Sequence, residues 1–269
     1  MRRPLLIIDG SFAHRAYHAL PKTIRRDGNK PAGAILGFVN FLLRFYESEN
    51  PRAVLVGWDT LDEPTYRHEA LEAYQSGRVF DDELVGQLDI LPKFVAACGF
   101  ASAKAARYEA DDFLAAAVAR EERLGGTCIV ASGDRDSYQL ASKRTTIVQP
   151  IRAGELARIG PAEVRERYGV DPKQVPDFIA LRGDSSDRIP GAASVGAVGA
   201  ASRALSAAGR RGGGVFGHSH QALIEMQDRV LYLNPGSAGP RRFRLPVTLA
   251  RLHFSADHIE PEIVHLPIG

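Results

Sequence analysis

The sequence predicts an α/β fold built on a parallel sheet, and three observations carry that reading. Short apolar runs alternate along the chain with segments of helical spacing, the pattern of strands joined by crossover helices. The runs at 5–8, 53–58 and 127–131 are almost wholly apolar, as strands buried on both faces are. Each of the three is followed closely by an aspartate, Asp9, Asp59 or Asp134. In open α/β sheets, ligands gather at the carboxyl ends of the strands.

The elements follow in order. Residues 5–8 read as a buried strand and Asp9-Gly10-Ser11 as its exit turn. Residues 34–46 have helical spacing of Ile35, Leu36, Phe38, Val39, Leu42, Leu43 and Phe45. Residues 53–58 are a second strand, and 60–82 are polar and irregular. A helix over 83–98 sets Leu84, Leu88, Leu91 and Val95 on one face, and an Ala-rich helix follows over 109–123. Strands come next at 127–131 and 145–148. Short helices are predicted at 160–168 and 175–182, each with a proline near its first turn. Residues 192–214 are nearly all Ala, Gly, Ser, Val and Arg, the composition of a poor helix or a flexible joint. Beyond them, 230–233, 247–254 and 263–266 are strand-like, with Asn234-Pro235-Gly236-Ser237 as a turn.

The chain has 269 residues, 45% hydrophobic and 25% charged, which is ordinary globular composition. No apolar stretch approaches the ~18 residues of a membrane span, and the short apolar run near the N-terminus ends at Asp9 rather than forming a signal peptide. With only Cys98 and Cys128, a disulfide framework or cysteine zinc site is not expected, and a cytoplasmic location is. Residues 1–202 carry 26 basic and 27 acidic side chains, so net charge does not mark a nucleic-acid binder. The placement of the acids is more informative.

Glu109, Asp111 and Asp112 open a helix, with Glu109 and Asp112 three residues apart on one face. Asp136 lies two beyond Asp134, and Asp184 and Asp187 form a pair in a turn-rich segment. Each acid has a plain structural reading: strand-end turns, or capping of a helix whose dipole favours acids in its first turn. If all nine converge, their repulsion requires protons or cations. Hard oxygen donors without His or Cys suit Mg²⁺ or Mn²⁺. Two such ions about 4 Å apart are the usual device for in-line attack on a phosphodiester.

The segments LLIIDGS, LVGWD, TYRHEALEAYQSGR, YEADDFLA, ASGDRDSYQL and GDSSDRIPG make residues 4 to about 191 resemble the 5'→3' exonuclease and flap endonuclease family. The same module stands at the front of bacterial DNA polymerase I. The resemblance implies a Rossmann-like (PIN-like) parallel sheet flanked by helices. It implies that Asp9, Asp59, Glu109, Asp111 and Asp112 hold one Mg²⁺ or Mn²⁺ ion, and Asp134, Asp136, Asp184 and Asp187 a second. It implies hydrolysis of DNA at 5' flaps, nicks or single-stranded 5' ends, leaving a 5'-phosphate. With no polymerase portion following, a stand-alone, monomeric nuclease is expected.

Residues 60–93 match the family's arch, which passes single-stranded DNA. Arg67 and Arg78 are the implied phosphate contacts, against solvated surface arginines as the plain reading. Tyr66 and Tyr74 are either stacking surfaces for bases or packing residues. Gln75 stands where many relatives have lysine, which either lowers the rate or shifts charge stabilisation in the transition state to Arg78 as a catalytic residue. Arg15, Tyr17 and His18 follow Asp9 and are placed to meet the substrate's 5' region.

After residue 191 the likeness fades. The family continues into a helix–turn–helix pair that grips duplex DNA, often with K⁺, and residues 193–199 keep a trace of its glycine-rich turn. Val215-Phe216-Gly217-His218-Ser219-His220, with the later Leu233-Asn234-Pro235-Gly236-Ser237, resembles the end of calcineurin-like metallophosphoesterases. The earlier ligands of that site are missing, so the tail reads as a non-catalytic remnant. Three parts are expected: a nuclease domain over 1–191, a junction over 192–214 and a β-rich phosphoesterase-like fragment over 215–269. Two other functions stay open: a structure-specific DNA-binding protein with little or no cleavage, and a metallophosphoesterase.

Overall fold

In chain order the first elements are β1 (Leu5–Asp9), α1 (Phe12–Ala19), a small hairpin of β2 (Arg25–Arg26) and β3 (Lys30–Pro31), α2 (Gly33–Glu49) and β4 (Ala53–Gly57). Then come α3 (Tyr66–Ala70), α4 (Asp82–Leu88), α5 (Leu91–Ala97), β5 (Ala101–Ala103), α6 (Ala110–Arg123) and β6 (Cys128–Ala131). β7 (Thr145–Pro150), β8 (Leu156–Ile159) and α7 (Pro161–Tyr168) follow. The computed structural model describes residues 3–61, 63–76, 79–151, 155–191, 213–215, 222–227, 230–235, 246–254 and 259–266. The chain divides into two units, Met1–Glu163 and Val164–Gly269, so the boundary falls within α7.

Six strands of the first unit form one sheet in the order β5-β4-β1-β6-β7-β8. All neighbours run parallel except β8, which closes the edge antiparallel to β7. The chain builds outward from β1 through β4 and β5, then returns to the other side of β1 for β6 and β7. The carboxyl end of β1 is therefore the switch point where such sheets open a crevice. On one face Leu6, Ile8, Val54, Val56, Ile129 and Ala131 meet Phe12, Phe38, Leu42, Phe45, Leu84, Leu91 and Val95 from α1, α2, α4 and α5. Fully burying one such side chain contributes about 1.5–3 kcal/mol. On the other face α6 lays the buried Leu114 and Val118 against the sheet.

Two local features set the depth of this packing. A Cβ at Gly57 would lie 2.8 Å from Leu114 Cδ1 and 2.9 Å from the Ala110 carbonyl oxygen, so α6's first turn sits directly on the end of β4. Gln87 of α4 is buried and accepts the Ala34 amide at 2.9 Å. It thereby caps α2, whose own preceding residue, Ala32, has no side-chain acceptor.

The helix expected over 83–98 is two helices. Pro92 is the second residue of α5, and a proline there has no amide for the carbonyl of residue 88 and its ring clashes with that oxygen. The polar 60–82 stretch contains the single turn of α3, and α1, β5 and β8 join the expected elements. In the second unit, α8 (Val175–Arg182) buries Val175, Phe178 and Ile179, with the Tyr168 and Phe178 rings stacked at 4.8 Å. Its strands are β9 (Gly213–Val215), β10 (Ala222–Gln227) and β11 (Val230–Pro235), ordered β10-β11-β9, and the pair β12 (Thr248–Phe254) and β13 (Ile259–His265). Asn234 and Pro235, expected in a turn, instead extend β11 opposite β10. The β9 pairing ends at Leu233, so Pro235 leaves no ladder bond unmade on that side. Among the described residues no helix is long and apolar enough to cross a membrane.

Replacing Gly57 with Ala is expected to lower stability by about 1–3 kcal/mol through overpacking, seen as a lower urea midpoint with unchanged slope. Burial pushes the Cys128 thiol up to about 11, while Cys98 is exposed. At pH 8 the Cys128 thiolate fraction is then about 10⁻³. Alkylation followed by mass spectrometry should label Cys98 in the native protein and Cys128 only after denaturation.

Candidate active site

The strand ends bring the acids together. Asp9 closes β1 and is buried, its Oδ1 accepting the Ser11 amide at 2.8 Å and its Oδ2 the Ser132 hydroxyl at 2.7 Å. Burial pushes its pKa up, the Ser132 hydroxyl pulls it back, and the Asp59 charge raises it again. Ser132 also accepts the Asp134 amide at 3.0 Å, so one hydroxyl joins the ends of β1 and β6. Asp134 in turn accepts the Asp136 amide at 3.1 Å. Asp59, just past β4, accepts the Ala110 amide at 2.8 Å. It satisfies an otherwise unpaired N–H of α6's first turn and fixes the neighbouring Asp111.

Asp111 is where the charges meet. Its carboxyl is held well above the ordinary aspartate range, first by burial and then by the charges of Asp9, Asp134, Asp59 and Asp136. Arg15 borders this group, its Nη2 donating to the Gly133 carbonyl at 2.7 Å. A Cβ at Gly133 would lie 2.1 Å from the Arg15 Cζ, so glycine makes room for that guanidinium.

Glu109 and Asp112 are engaged elsewhere. They form the capping box of α6, the Glu109 amide donating to Asp112 Oδ2 at 2.9 Å. Asp112 also takes a two-pronged ion pair from Arg67, at 2.9 Å for each nitrogen, and the Tyr66 hydroxyl at 3.0 Å. Burial raises the Asp112 pKa, but Arg67 and the Glu109 amide outweigh it and hold it below the usual value. Glu109 accepts the Thr65 hydroxyl at 3.1 Å and the Tyr74 hydroxyl at 3.0 Å. These contacts give several of the expected DNA-contact residues partners within the fold. Arg67 faces carboxylates instead of solvent. Tyr74 is buried, against Glu109 and edge-on to His68, so packing is the role the structure gives it. Tyr17 is also buried, with its hydroxyl on Asp81 and the Lys22 ammonium 2.9 Å from its ring centre. Tyr66 keeps an exposed ring beneath the Arg67 guanidinium.

Asp184 and Asp187 belong to the second unit. Asp184 opens a tight turn closed by reciprocal backbone bonds with Ile189 at 2.9 and 2.7 Å. Burial raises its pKa, but the Ser186 hydroxyl and amide hold it low. Arg78, the turn at 193–199 expected to bind K⁺, and His218 and His220 lie outside the described residues. Ser132 and Thr65 are the site residues that sequence reasoning missed. Ser132 had a readable signal, a hydroxyl directly after a buried strand; Thr65 had none, since its partner is 44 positions away.

Among the described residues no three His, Cys, Asp or Glu side chains stand close enough together to hold an ion as they are. The donor set is nonetheless all carboxylate oxygen, and the repulsion focused on Asp111 is what a divalent cation would relieve. The residues present thus fit a hard cation. A carboxyl with a raised folded-state pKa costs stability as pH rises through that value, whereas below the unfolded pKa both states are protonated and the cost vanishes. In EDTA at pH 8, Asp111→Asn should therefore melt about 2–4 °C above wild type, the shift for 1 kcal/mol in a chain of this size. The gap should close towards pH 3.5 in a scanning-calorimetry series.

Residues 4–169 match the model of the 5'-3' exonuclease N-terminal resolvase-like domain, and residues 193–257 that of the calcineurin-like phosphoesterase superfamily domain. DNA polymerase I of Mycobacterium tuberculosis is 36% identical over 196 residues, covering 71% of this chain and 22% of that protein. The Deinococcus radiodurans DNA polymerase I is 38% identical, with 71% and 20% covered. This chain therefore spans about a fifth of the length of these relatives. Bacteriophage T5 5'-exonuclease, solved with divalent zinc bound, superposes with a TM-score of 0.60 at 20% identity, covering 76% of this chain and 75% of that one. That likeness establishes a shared fold, an α/β sheet flanked by helices. Since the first matched stretch exceeds half of its length, the chain belongs to the 5'-3' exonuclease family.

Proposed function

We propose that this chain is a divalent-cation-dependent 5' nuclease that hydrolyses DNA phosphodiester bonds at flaps or 5' ends. The observation that carries the proposal is the convergence of Asp9, Asp59, Asp134 and Asp136 around the buried Asp111 at the switch point of the sheet. Family membership supports it, as does the divalent metal bound to the T5 5'-exonuclease.

In this reading those five carboxylates hold two Mg²⁺ or Mn²⁺ ions. Bound there, such ions activate water and neutralise charge developing on the phosphate. The chain's own groups fix the geometry. Ser132 holds Asp9 in register with the turn bearing Asp134, and Asp59 pins the first turn of α6 that carries Asp111. Arg15, tethered through one nitrogen to Gly133, brings positive charge to the rim for an incoming phosphate. Arg78 is proposed as the further phosphate contact in the arch. The nuclease module is proposed to run to residue 191, followed by the junction at 192–214 and the phosphoesterase-like fragment.

One observation favours a second reading, DNA binding with little cleavage. Gln75 places a neutral amide where many relatives have lysine, and its Nε2 donates to the Tyr74 hydroxyl at 2.9 Å. Cleavage of a labelled 5'-flap duplex and of a single-stranded 5' end, in Mg²⁺, Mn²⁺ or EDTA, separates the two. The nuclease reading expects products only with a cation, and a kcat lowered at least about 100-fold in Asp111→Asn and Asp134→Asn. Binding without products even in Mn²⁺ would establish the second reading, and undiminished cleavage in EDTA would overturn the metal-dependent one.

A further inference from the structure

The carboxylates of α6's first turn divide into two sets with different neighbours. Asp111 directly follows Ala110, whose amide donates to Asp59 Oδ1 at 2.8 Å, on the sheet-edge side of the turn. Adjacent helical residues point about 100° apart, and Asp112 meets a different group. Its Oδ2 accepts Arg67 Nη1 and the Glu109 amide, and its Oδ1 accepts Arg67 Nη2 and the Tyr66 hydroxyl. A carboxylate offers about four lone-pair positions, so this one is filled. Glu109 is buried, with Oε1 on the Thr65 hydroxyl and Oε2 on the Tyr74 hydroxyl, and Arg67 Nη1 stands 3.4 Å from that Oε2. Thr65, Tyr66, Arg67 and Tyr74 all come from one ten-residue stretch around α3, and all reach the same helical turn. His68 braces the stretch locally, its Nδ1 accepting the Thr65 amide at 3.1 Å.

We propose that Glu109 and Asp112 are positioning residues and not ion ligands. With Arg67 as the shared cation, they clamp residues 65–74, the leading foot of the arch, to the turn that carries Asp111. The clamp rests on the nuclease reading for its purpose: it fixes where a strand crossing that foot meets the five-carboxylate site. Its chemistry suits the task. A planar guanidinium bidentate to one carboxylate and close to a second has direction as well as charge. The hydroxyls of Thr65 and Tyr74 satisfy a buried acid that would otherwise be costly to keep.

The test uses the full chain and the variants Asp112→Asn, Glu109→Gln, Arg67→Ala and Arg67→Lys, with Asp111→Asn as the ion-site control. Mn²⁺ binding is followed by the free-ion EPR signal. Asp112→Asn and Glu109→Gln should bind Mn²⁺ within about twofold of wild type, while Asp111→Asn weakens it at least about tenfold. Amide hydrogen exchange should speed up about tenfold at Leu71 and Tyr74 in Asp112→Asn and Arg67→Ala, and stay unchanged in Asp111→Asn. Arg67→Lys should restore part of that protection, since an ammonium makes the ion pair without the fork. With flap DNA, the clamp variants should raise KM while leaving the half-saturating Mg²⁺ concentration where it was. Loss of Mn²⁺ affinity in Asp112→Asn or Glu109→Gln equal to that in Asp111→Asn would overturn the proposal, as would unchanged exchange in Arg67→Ala. If the wild-type chain cleaves no DNA, the nuclease reading fails while exchange still decides the clamp.

Discussion

Like charges crowded at one edge of a sheet have to be held by something stiffer than their repulsion. Here the holder is the parallel ladder of β4, β1 and β6, whose carboxyl ends deliver Asp9, Asp59 and Asp134 to one place. The ladder sets the backbone, and short hydrogen bonds set the side chains: Ser132 and Ser11 on Asp9, the Ala110 amide on Asp59. The energetic cost is concentrated on Asp111, which carries the desolvation and the repulsion together. Clusters of this kind trade folding stability for affinity towards cations.

The first turn of α6 works on two fronts. Its unpaired amides are satisfied by Asp59 and by the box formed between Glu109 and Asp112. Its acidic side chains then face two different partners. The helix is seated by Gly57, which admits Leu114 and the Ala110 carbonyl at close range. A bulkier residue there would displace the turn and every contact it organises. The backbone position of one small residue thus reaches both the acidic site and residues 65–74.

Much of this was legible in the sequence, for reasons that differ between elements. The buried strands showed as apolar runs, and their terminal aspartates showed as breaks in those runs. Asp111 and Asp136 were readable because each lies within a residue or two of another acid. The split of 83–98 was written in Pro92 but was masked by the apolar spacing of Leu84, Leu88, Leu91 and Val95. β5, with only Ala101, Ser102 and Ala103, has no local signal; its pairing with β4 alone makes it a strand. The roles of Glu109 and Asp112 were half visible. Their spacing suggested a cap, whereas Arg67 and Tyr66 lie more than forty residues away and reach them only through the fold.

The attachments of Tyr74 to Glu109 and of Asp81 to Tyr17 have a geometric corollary. Seven peptide steps separate these two moorings, a contour of about 25 Å at ~3.6 Å per residue. The two moorings therefore stand no farther apart than that contour, and both fasten to side chains of the first unit, so the stretch between them is leashed at each end to the sheet's own helices.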